Sequence, residues 1–400
     1  MRLAFFGHPH AGGTWTVFRN LKNRLAERGI ELVWIGRGRA TAEALLSEPQ
    51  FRPFASCGFG VGDEMRDDAG EARAMAEALA ASGADGVIVN VAADRLQTNL
   101  VRYLPERFLR VMIVHNITIG TYAAAAAVRD HVHATVGVSP RIRDDLVRRR
   151  GFPAERTFAV MTGIEAGPKP HRRPLMPGGP LRLISLGRVE EAAKGILVLP
   201  RIVERVPETT LTVAGDGPDL DRLKDACAGL GGRVRFLGRV AYGEVARVFS
   251  EHDVMLMPSR YEGQGLALLE AMSAGCVPVA SRIRGVTDAT VADGENGFLF
   301  PPGDVAAAAR VLERMRDDLA LRARAGAAAA RTVRERFTPE ATADAYAAIL
   351  SNLDRRRPAI AAPIAFSDWS FPPGLRDGWR TRIPAPIKNL LRTARERFAG

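Results

Sequence analysis

Short apolar runs rich in β-branched residues alternate with longer amphipathic stretches along nearly the whole chain, and few folds accept that pattern. In the first half the strand-like runs are Arg2–Gly7, Glu31–Gly36, Gly86–Val91, Arg110–His115, Ala134–Ser139 and Thr157–Met161. Helical patterns fall among them at Thr14–Arg28, Asp68–Ser82, Tyr122–Asp130 and Pro140–Arg150. Strands that are apolar throughout, joined by helices, predict a parallel sheet covered on both faces, an α/β fold.

The 400 residues exceed one ordinary core and predict two domains of roughly 150–200 residues each. Residues 167–180, dense in proline and glycine, read as a linker. The alternation then restarts, with strands near Leu181–Leu186, Thr209–Ala214, Arg233–Leu237, Val254–Met257, Val277–Ala280 and Phe298–Phe300. Helices are expected at Ile196–Val206, Asp219–Ala228, Gly243–Ser250 and Gly265–Ala274, with Ala-rich helices following to about Asn352. The expected domains are therefore 1–166 and 181–352, followed by an extension over 353–400. That extension is rich in proline and arginine, and it ends in an apolar stripe of Ile387, Leu390, Leu391, Ala394 and Phe398 opposite Lys388, Arg392, Arg395 and Arg397. Three readings of it stay open. It docks on the protein through Trp369, Phe371 and Trp379, it lies on an anionic membrane surface, or it is disordered.

Composition narrows the function classes. No run of eighteen apolar residues is long enough to span a bilayer, and MRLAFFGHPHAGG reads as a first buried strand, not a signal peptide. Cys57, Cys227 and Cys276 are too scattered for a disulfide framework or zinc site, which fits a cytoplasmic setting. His8 with His10 and His131 with His133 lack the further ligands a metal needs, so no metal is expected. The net charge of +11 favours anionic partners, but it is dispersed and no nucleic-acid recognition motif accompanies it. Lysine is rare here, confined to Lys22, Lys169, Lys194, Lys224 and Lys388, so a lysine inside a motif is informative.

Within SRYEGQGLALLEAMSAG (259–275), Glu262 precedes a helix that Gly265 opens and Gly275 can end, and Glu270 lies inside that helix among apolar neighbours. In an open α/β sheet the segment following a strand forms the ligand crevice, which Glu262 and the amides of Gln264–Ala267 should face. A buried unpaired carboxylate is costly, so Glu270 needs hydroxyl donors such as those of a ribose; the alternative is a solvated residue on an amphipathic helix. Gly187-Arg188 ends the strand 181–186, and Lys194-Gly195 is expected to open the next helix. Two cations at a helix N-terminus would suit a diphosphate. Gly12-Gly13 lies between the first strand and helix without the G-x-G-x-x-G spacing of dinucleotide-binding oxidoreductases.

These pieces together resemble the retaining glycosyltransferases of family 4. The resemblance covers most of 1–352 and rests on Glu262-x7-Glu270, Gly187-Arg188-x5-Lys194-Gly195, AGDGP (214–218), VRFLGRV (234–240) and DGENGFLF (293–300) in that family's order. It implies a GT-B fold, two Rossmann-like doubly wound domains facing a central cleft, and a nucleotide-diphosphate-sugar donor held mainly by the second domain. Arg188 and Lys194 would hold the diphosphate, Glu270 the ribose and Glu262 the sugar hydroxyls. Gly265, Leu266 and Ala267 would add amide contacts, while Phe236 and Leu237 would border the base. Gly12 and Gly13 would approach the diphosphate, and His115 would lie near the transferred sugar; a histidine satisfied at a strand end is its plainer reading. Gln264 and Thr162 depart from the family's usual residues.

The implied reaction is sugar transfer to a glycan, lipid-linked or other glycoconjugate acceptor with retention of configuration, using neither metal nor other cofactor. The sequence offers no clear nucleophile for a double displacement, so stabilisation of the leaving diphosphate is the expected mechanism. The competing readings are a non-catalytic nucleotide-sugar binder and a GT-B nucleotide-sugar epimerase.

Overall fold

The computed structural model describes residues 1–10, 12–62, 67–91, 93–165 and 178–376, together with Ile387, Leu391, Thr393, Ala394 and Glu396. The chain divides into two compact units, Met1–Thr162 with Pro339–Thr381, and Gly163–Thr338 with Arg382–Gly400.

The first unit contains strands β1 (Arg2–Phe6), β2 (Glu31–Arg37), β3 (Gly58–Val61), β4 (Gly86–Asn90), β5 (Leu109–Val114), β6 (Ala134–Gly137) and β7 (Thr157–Ala159). They form one parallel sheet in the order β3-β2-β1-β4-β5-β6-β7. Every residue of β4 and β5 is buried, as expected for central strands covered on both faces. Strand β3 is absent from the sequence expectation because its sequence, GFGV, lacks the usual β-branched signal. The glycines serve packing: a Cβ on Gly58 would lie 2.3 Å from the Trp34 ring, and one on Gly60 would lie 2.5 Å from Ala42 Cβ. The helices Arg39–Ser47 and Arg95–Leu100 are likewise additional to the expectation.

Helix Pro339–Arg355 corrects the expected domain range of 181–352, because it packs on helix Gly13–Ala26 of the first unit. The chain that follows it, as far as Thr381, also belongs to that unit. Ala361 donates its amide to Asp130 (2.7 Å), Ile364 donates to Arg102 (2.9 Å), and Ser370 donates to the Tyr103 hydroxyl (2.9 Å). Trp369 lies 4.5 Å from the Tyr103 ring, and Arg95 stands 4.7 Å over Phe371. Through residue 376 the extension is therefore docked on the protein, the first of its three readings. Trp379 and most of 386–398 lie outside the described residues, as does the linker apart from residues 178–180.

The second unit holds β8 (Leu181–Leu186), β9 (Thr209–Ala214), β10 (Val234–Gly238), β11 (Val254–Met257), β12 (Val277–Ser281) and β13 (Phe298–Phe300). Its sheet is also parallel, in the order β10-β9-β8-β11-β12-β13. Leu183, Leu211, Val254 and Val279 from the sheet meet Leu199, Ile202, Leu312 and Met315 from covering helices in one buried cluster. The strand order reverses between β8 and β11. The loops leaving those two strands therefore diverge to opposite sides of the sheet, and a crevice opens beyond their carboxyl ends.

Candidate functional site

Glycines let the loops beyond β8, β9 and β10 lie backbone to backbone. Gly187 donates its amide to Ala214 O (2.9 Å), and Gly215 donates to Gly238 O (2.7 Å). Gly215 has φ +135°, and a Cβ there would sit 1.9 Å from Gly187 O, so no other residue fits without moving the β8 loop. Gly217 is confined in the same way, its Cβ position lying 2.3 Å from Val189 O. The AGDGP motif thus supports the loop that follows β8.

That loop leads into a four-residue helix, Glu191–Lys194, which is additional to the expectation. Gly195 ends this helix in the left-handed region at φ +61°, and the next long helix begins at Leu199 after a 3₁₀ turn. Lys194 therefore ends one short helix, and the helical stretch expected from Ile196 begins directly after it, with Gly195 as N-cap of the 3₁₀ turn Ile196–Val198 that runs into helix Leu199–Arg205. The approach of the Glu191–Lys194 turn to the β11 loop is close. A Cβ on Gly195 would meet Pro258 O at 2.5 Å, and Arg260 donates its amide to Ala193 O at 2.8 Å.

The turn and the β11 loop meet in a charged contact. Lys194 Nζ donates to Glu262 Oε1 at 2.6 Å, and Ser259 Oγ donates to the same oxygen at 2.7 Å. Glu262 is 7% exposed and Ser259 is fully buried, while the Lys194 side chain keeps 32% of its surface in solvent. A carboxylate this enclosed would cost several kcal/mol unpaired, and charge-assisted bonds of about 1.5–3 kcal/mol each offset that. An ammonium that reaches solvent can also hold an anion. A carboxylate held beside it can take hydroxyl protons in hydrogen bonds.

The remaining predicted residues of this unit lie on the β8 loop, on the helix after β11 and on strand β10. Arg188 is exposed on the β8 loop, with Glu190 Oε2 3.5 Å from its Nε. Gly265 turns the chain at φ +85° into helix Leu266–Ser273, whose N-terminus has no side-chain cap. Leu266 and Ala267 in its first turn are half-buried. Glu270 on the same helix is also only half-buried, so the desolvation argument for a buried carboxylate does not apply to it. Phe236 and Leu237 point to opposite faces of the edge strand β10. Phe236 packs against the core and Leu237 is 36% exposed, which leaves Leu237 as the member of the pair open to a ligand.

In the first unit the strand order reverses between β1 and β4, and the predicted residues cluster there. Gly12 caps helix Gly13–Ala26 in an extended conformation, and a Cβ on it would strike the His10 ring at 2.8 Å. His10 Nε2 lies 2.8 Å from Thr14 Oγ1. Asn90 donates from Nδ2 to Phe6 O at 2.9 Å, which turns its Oδ1 toward His115 Nε2 at 2.7 Å. His115 Nε2 must then be the donor of that bond. Burial, and after it the neighbouring His10, hold the His115 pKa down at about 3, so its imidazole is neutral.

The model of the family "Glycosyl transferases group 1" matches residues 180–318. Those residues are a glycosyl transferases group 1 domain. Curated relatives include the glycogen synthase of Mycobacterium tuberculosis, 32% identical over 240 residues that make up 56% of each chain. The lipopolysaccharide core biosynthesis glycosyltransferase LpsD of Rhizobium meliloti is 30% identical over 57% of this chain and 66% of its own. The matches thus span 56% and 66% of the length of these two relatives. Among solved structures, HepE from Anabaena in complex with UDP and glucose superposes with a TM-score of 0.72, covering 88% of this chain and all of that one at 17% identity. The two Rossmann-like units are those of the GT-B fold.

The group 1 domain contains all of Lys194, Ser259, Glu262 and Glu270. Sequence reading missed Ser259, Glu191 and Arg260 within it, and His10 and Asn90 in the first unit. Asn90 had left a signal, as a polar residue closing the apolar run GVIVN. Among the described residues no group of three His, Cys, Asp or Glu side chains is placed to hold a metal, and no helix is long and apolar enough to cross a membrane.

Proposed function

We propose that the chain is a retaining glycosyltransferase that moves a sugar from a nucleotide-diphosphate-sugar to a hydroxyl of a glycan, lipid-linked or other glycoconjugate acceptor. The observation that carries this reading is the Lys194–Glu262 contact at the switch point of a glycosyl transferases group 1 domain. The UDP and glucose bound by the similarly folded HepE support a sugar nucleotide as donor.

In the proposed reaction the bond from the anomeric carbon to the diphosphate oxygen breaks, and the acceptor oxygen bonds to that carbon on the same face. The acceptor's proton passes to the departing phosphate. Lys194 and Arg188 take up the negative charge that grows on the diphosphate, the change most stabilised by cations already in place. Glu262 exchanges its bond from Lys194 for hydroxyls of the sugar. His115, neutral at physiological pH, serves as a hydrogen-bonding group and carries no charge in the step.

Thermal unfolding with UDP, GDP, ADP and their glucose or mannose conjugates tests the donor. A ligand at one hundred times its Kd adds about 2.7 kcal/mol, which raises the midpoint by roughly 5–10 °C. Release of free nucleoside diphosphate should then require an acceptor. No shift with any nucleotide overturns the donor reading. Binding without acceptor-dependent release makes the chain a binding protein.

A further inference from the structure

Arg260 sits on the β11 loop two residues before Glu262, and its side chain is only 15% exposed. Its guanidinium pairs with the Glu191 carboxylate through Nη2, and Nε donates to Glu191 O at 3.3 Å. Glu191, 13% exposed, is held in turn, because its second carboxylate oxygen accepts the Leu197 amide at 2.8 Å and its own amide donates to Asp219 Oδ2 at 2.8 Å. Arg260 Nη1 donates to Thr393 Oγ1 at 2.8 Å. The Glu191–Arg260 pair therefore joins the first residue of the Glu191–Lys194 turn to the β11 loop, while Lys194 joins the last residue of that turn to the same loop.

The two links have different fates in the proposed reaction. Lys194–Glu262 has to open for each partner to meet the donor, whereas Glu191–Arg260 contains no group that the reaction calls on. Without the Glu191–Arg260 pair, opening the first would leave the four-residue helix held to the β11 loop only by backbone bonds from the Arg260 and Tyr261 amides to Ala193 O. Displacements of about 1 Å in such groups are enough to lose orders of magnitude in rate.

We propose that Arg260 is a positioning residue: its pair with Glu191 keeps the Lys194 turn and the Glu262 loop in register while the Lys194–Glu262 contact opens onto the diphosphate. This rests on the donor-site reading above. Its test has an arm that does not.

The variants are Arg260→Met, Arg260→Lys, Glu191→Gln and the Arg260→Met/Glu191→Gln double. The first arm is hydrogen exchange of peptides covering 191–197 and 258–265 in the full chain without nucleotide. Exchange at the Arg260 amide, bonded to Ala193 O, should rise about tenfold in Arg260→Met and in Glu191→Gln, and no further in the double variant. Exchange of β13, which is separated from β11 by β12 in the sheet, should stay as in the wild type, which separates lost positioning from failed folding.

The second arm takes whichever of UDP, GDP or ADP binds the wild type most tightly, together with its monophosphate. The diphosphate Kd should rise about tenfold in Arg260→Met, and Arg260→Lys should recover part of it. The monophosphate Kd should change less than twofold, an asymmetry that general destabilisation would not produce. Exchange at wild-type rates in both single variants overturns the clamp, as does equal weakening of the two nucleotides. If the wild type binds no diphosphate, the donor-site reading falls alone, and the exchange arm still decides whether the pair holds turn and loop together.

Discussion

The two units wind their first strands alike, β3-β2-β1-β4 in one and β10-β9-β8-β11 in the other, yet they arm the same topological position differently. Beyond β8 and β11 the second unit places formal charges in paired contact, Lys194 with Glu262 and Arg260 with Glu191. Beyond β1, β4 and β5 the first unit places His10, Asn90 and a neutral His115, all hydrogen-bonded. Winding fixes where a ligand can approach, and the side chains at that point decide which ligand is favoured. Ionic groups suit a diphosphate; neutral ones suit hydroxyls.

The hardest test of that contrast is to remove one group from each unit. Lys194→Ala should lower turnover by roughly 10²–10³-fold, the size expected for losing a preorganised partner of a developing negative charge. It should also weaken nucleoside diphosphate binding. His115→Ala should leave diphosphate binding within about twofold, because a neutral imidazole offers one hydrogen bond and no charge. Steady-state rates and calorimetric titration of both variants check this. Equal loss of diphosphate affinity in the two would erase the distinction between the units.

A smaller effect separates the units by pH. Burial lowers the pKa of His8 and His131, takes His115 to about 3 and, helped by Arg110, takes His133 to about 4; all four lie in the first unit. In the second unit His252 is lowered by burial. Below about pH 6.5 the unfolded chain binds protons that these folded histidines refuse. Their contribution is therefore complete above that pH and is lost as pH falls toward the folded values, by about 1.4 kcal/mol per pH unit for each. At pH 5 His115 and His133 should each have lost about 2 kcal/mol. Among the described residues Trp15, Trp34 and Trp369 belong to the first unit and no tryptophan to the second, so fluorescence follows the first unit while circular dichroism follows both. The fluorescence midpoint in urea should fall between pH 7 and pH 5 by more than the circular dichroism midpoint does. Coincident midpoints at both pH values would contradict the assignment of these histidines.

Much of the scaffold was legible because it depends on local pattern. The apolar runs of β8, β9 and β11 and the Glu262-x7-Glu270 spacing could be read along the chain. The misread places depend on partners that sequence does not bring together. Glu191 and Arg260 are 69 positions apart, and either alone is one more charge in a charged chain. Strand β3 was hidden because its glycines answer to Trp34 and Ala42 across a packed surface. The Lys194-Gly195 pair carries two signals, and only the helix beginning at Ile196 was expected from it, not the short helix Glu191–Lys194 that it ends. Lysine before glycine is how a helix ends, with the cation near the negative dipole and glycine in the left-handed position.

Helix Pro339–Arg355 offers the mildest way to sharpen the comparison, since it asks what ties a late segment of the chain to the first unit. Two contacts are ionic: Arg24 Nε with Glu340 Oε1 at 2.7 Å and Arg28 Nη2 with Asp344 Oδ1 at 2.7 Å. The Arg24 hydrogen bond lowers the Glu340 pKa, but the Glu340 side chain is 57% exposed and that of Asp344 67%, and pairs so exposed contribute about 0.2–1 kcal/mol. The same helix buries Ala343, Tyr346 and Leu350 almost completely. Truncating such a leucine costs about 2–5 kcal/mol. Arg24→Ala with Arg28→Ala should therefore cost less than Leu350→Ala, and part of that cost should disappear in 0.5 M salt. Tryptophan-monitored urea unfolding gives the ranking. A double-arginine loss that equals the leucine loss and ignores salt would mean that surface charge, and not the apolar face, holds this helix in the first unit.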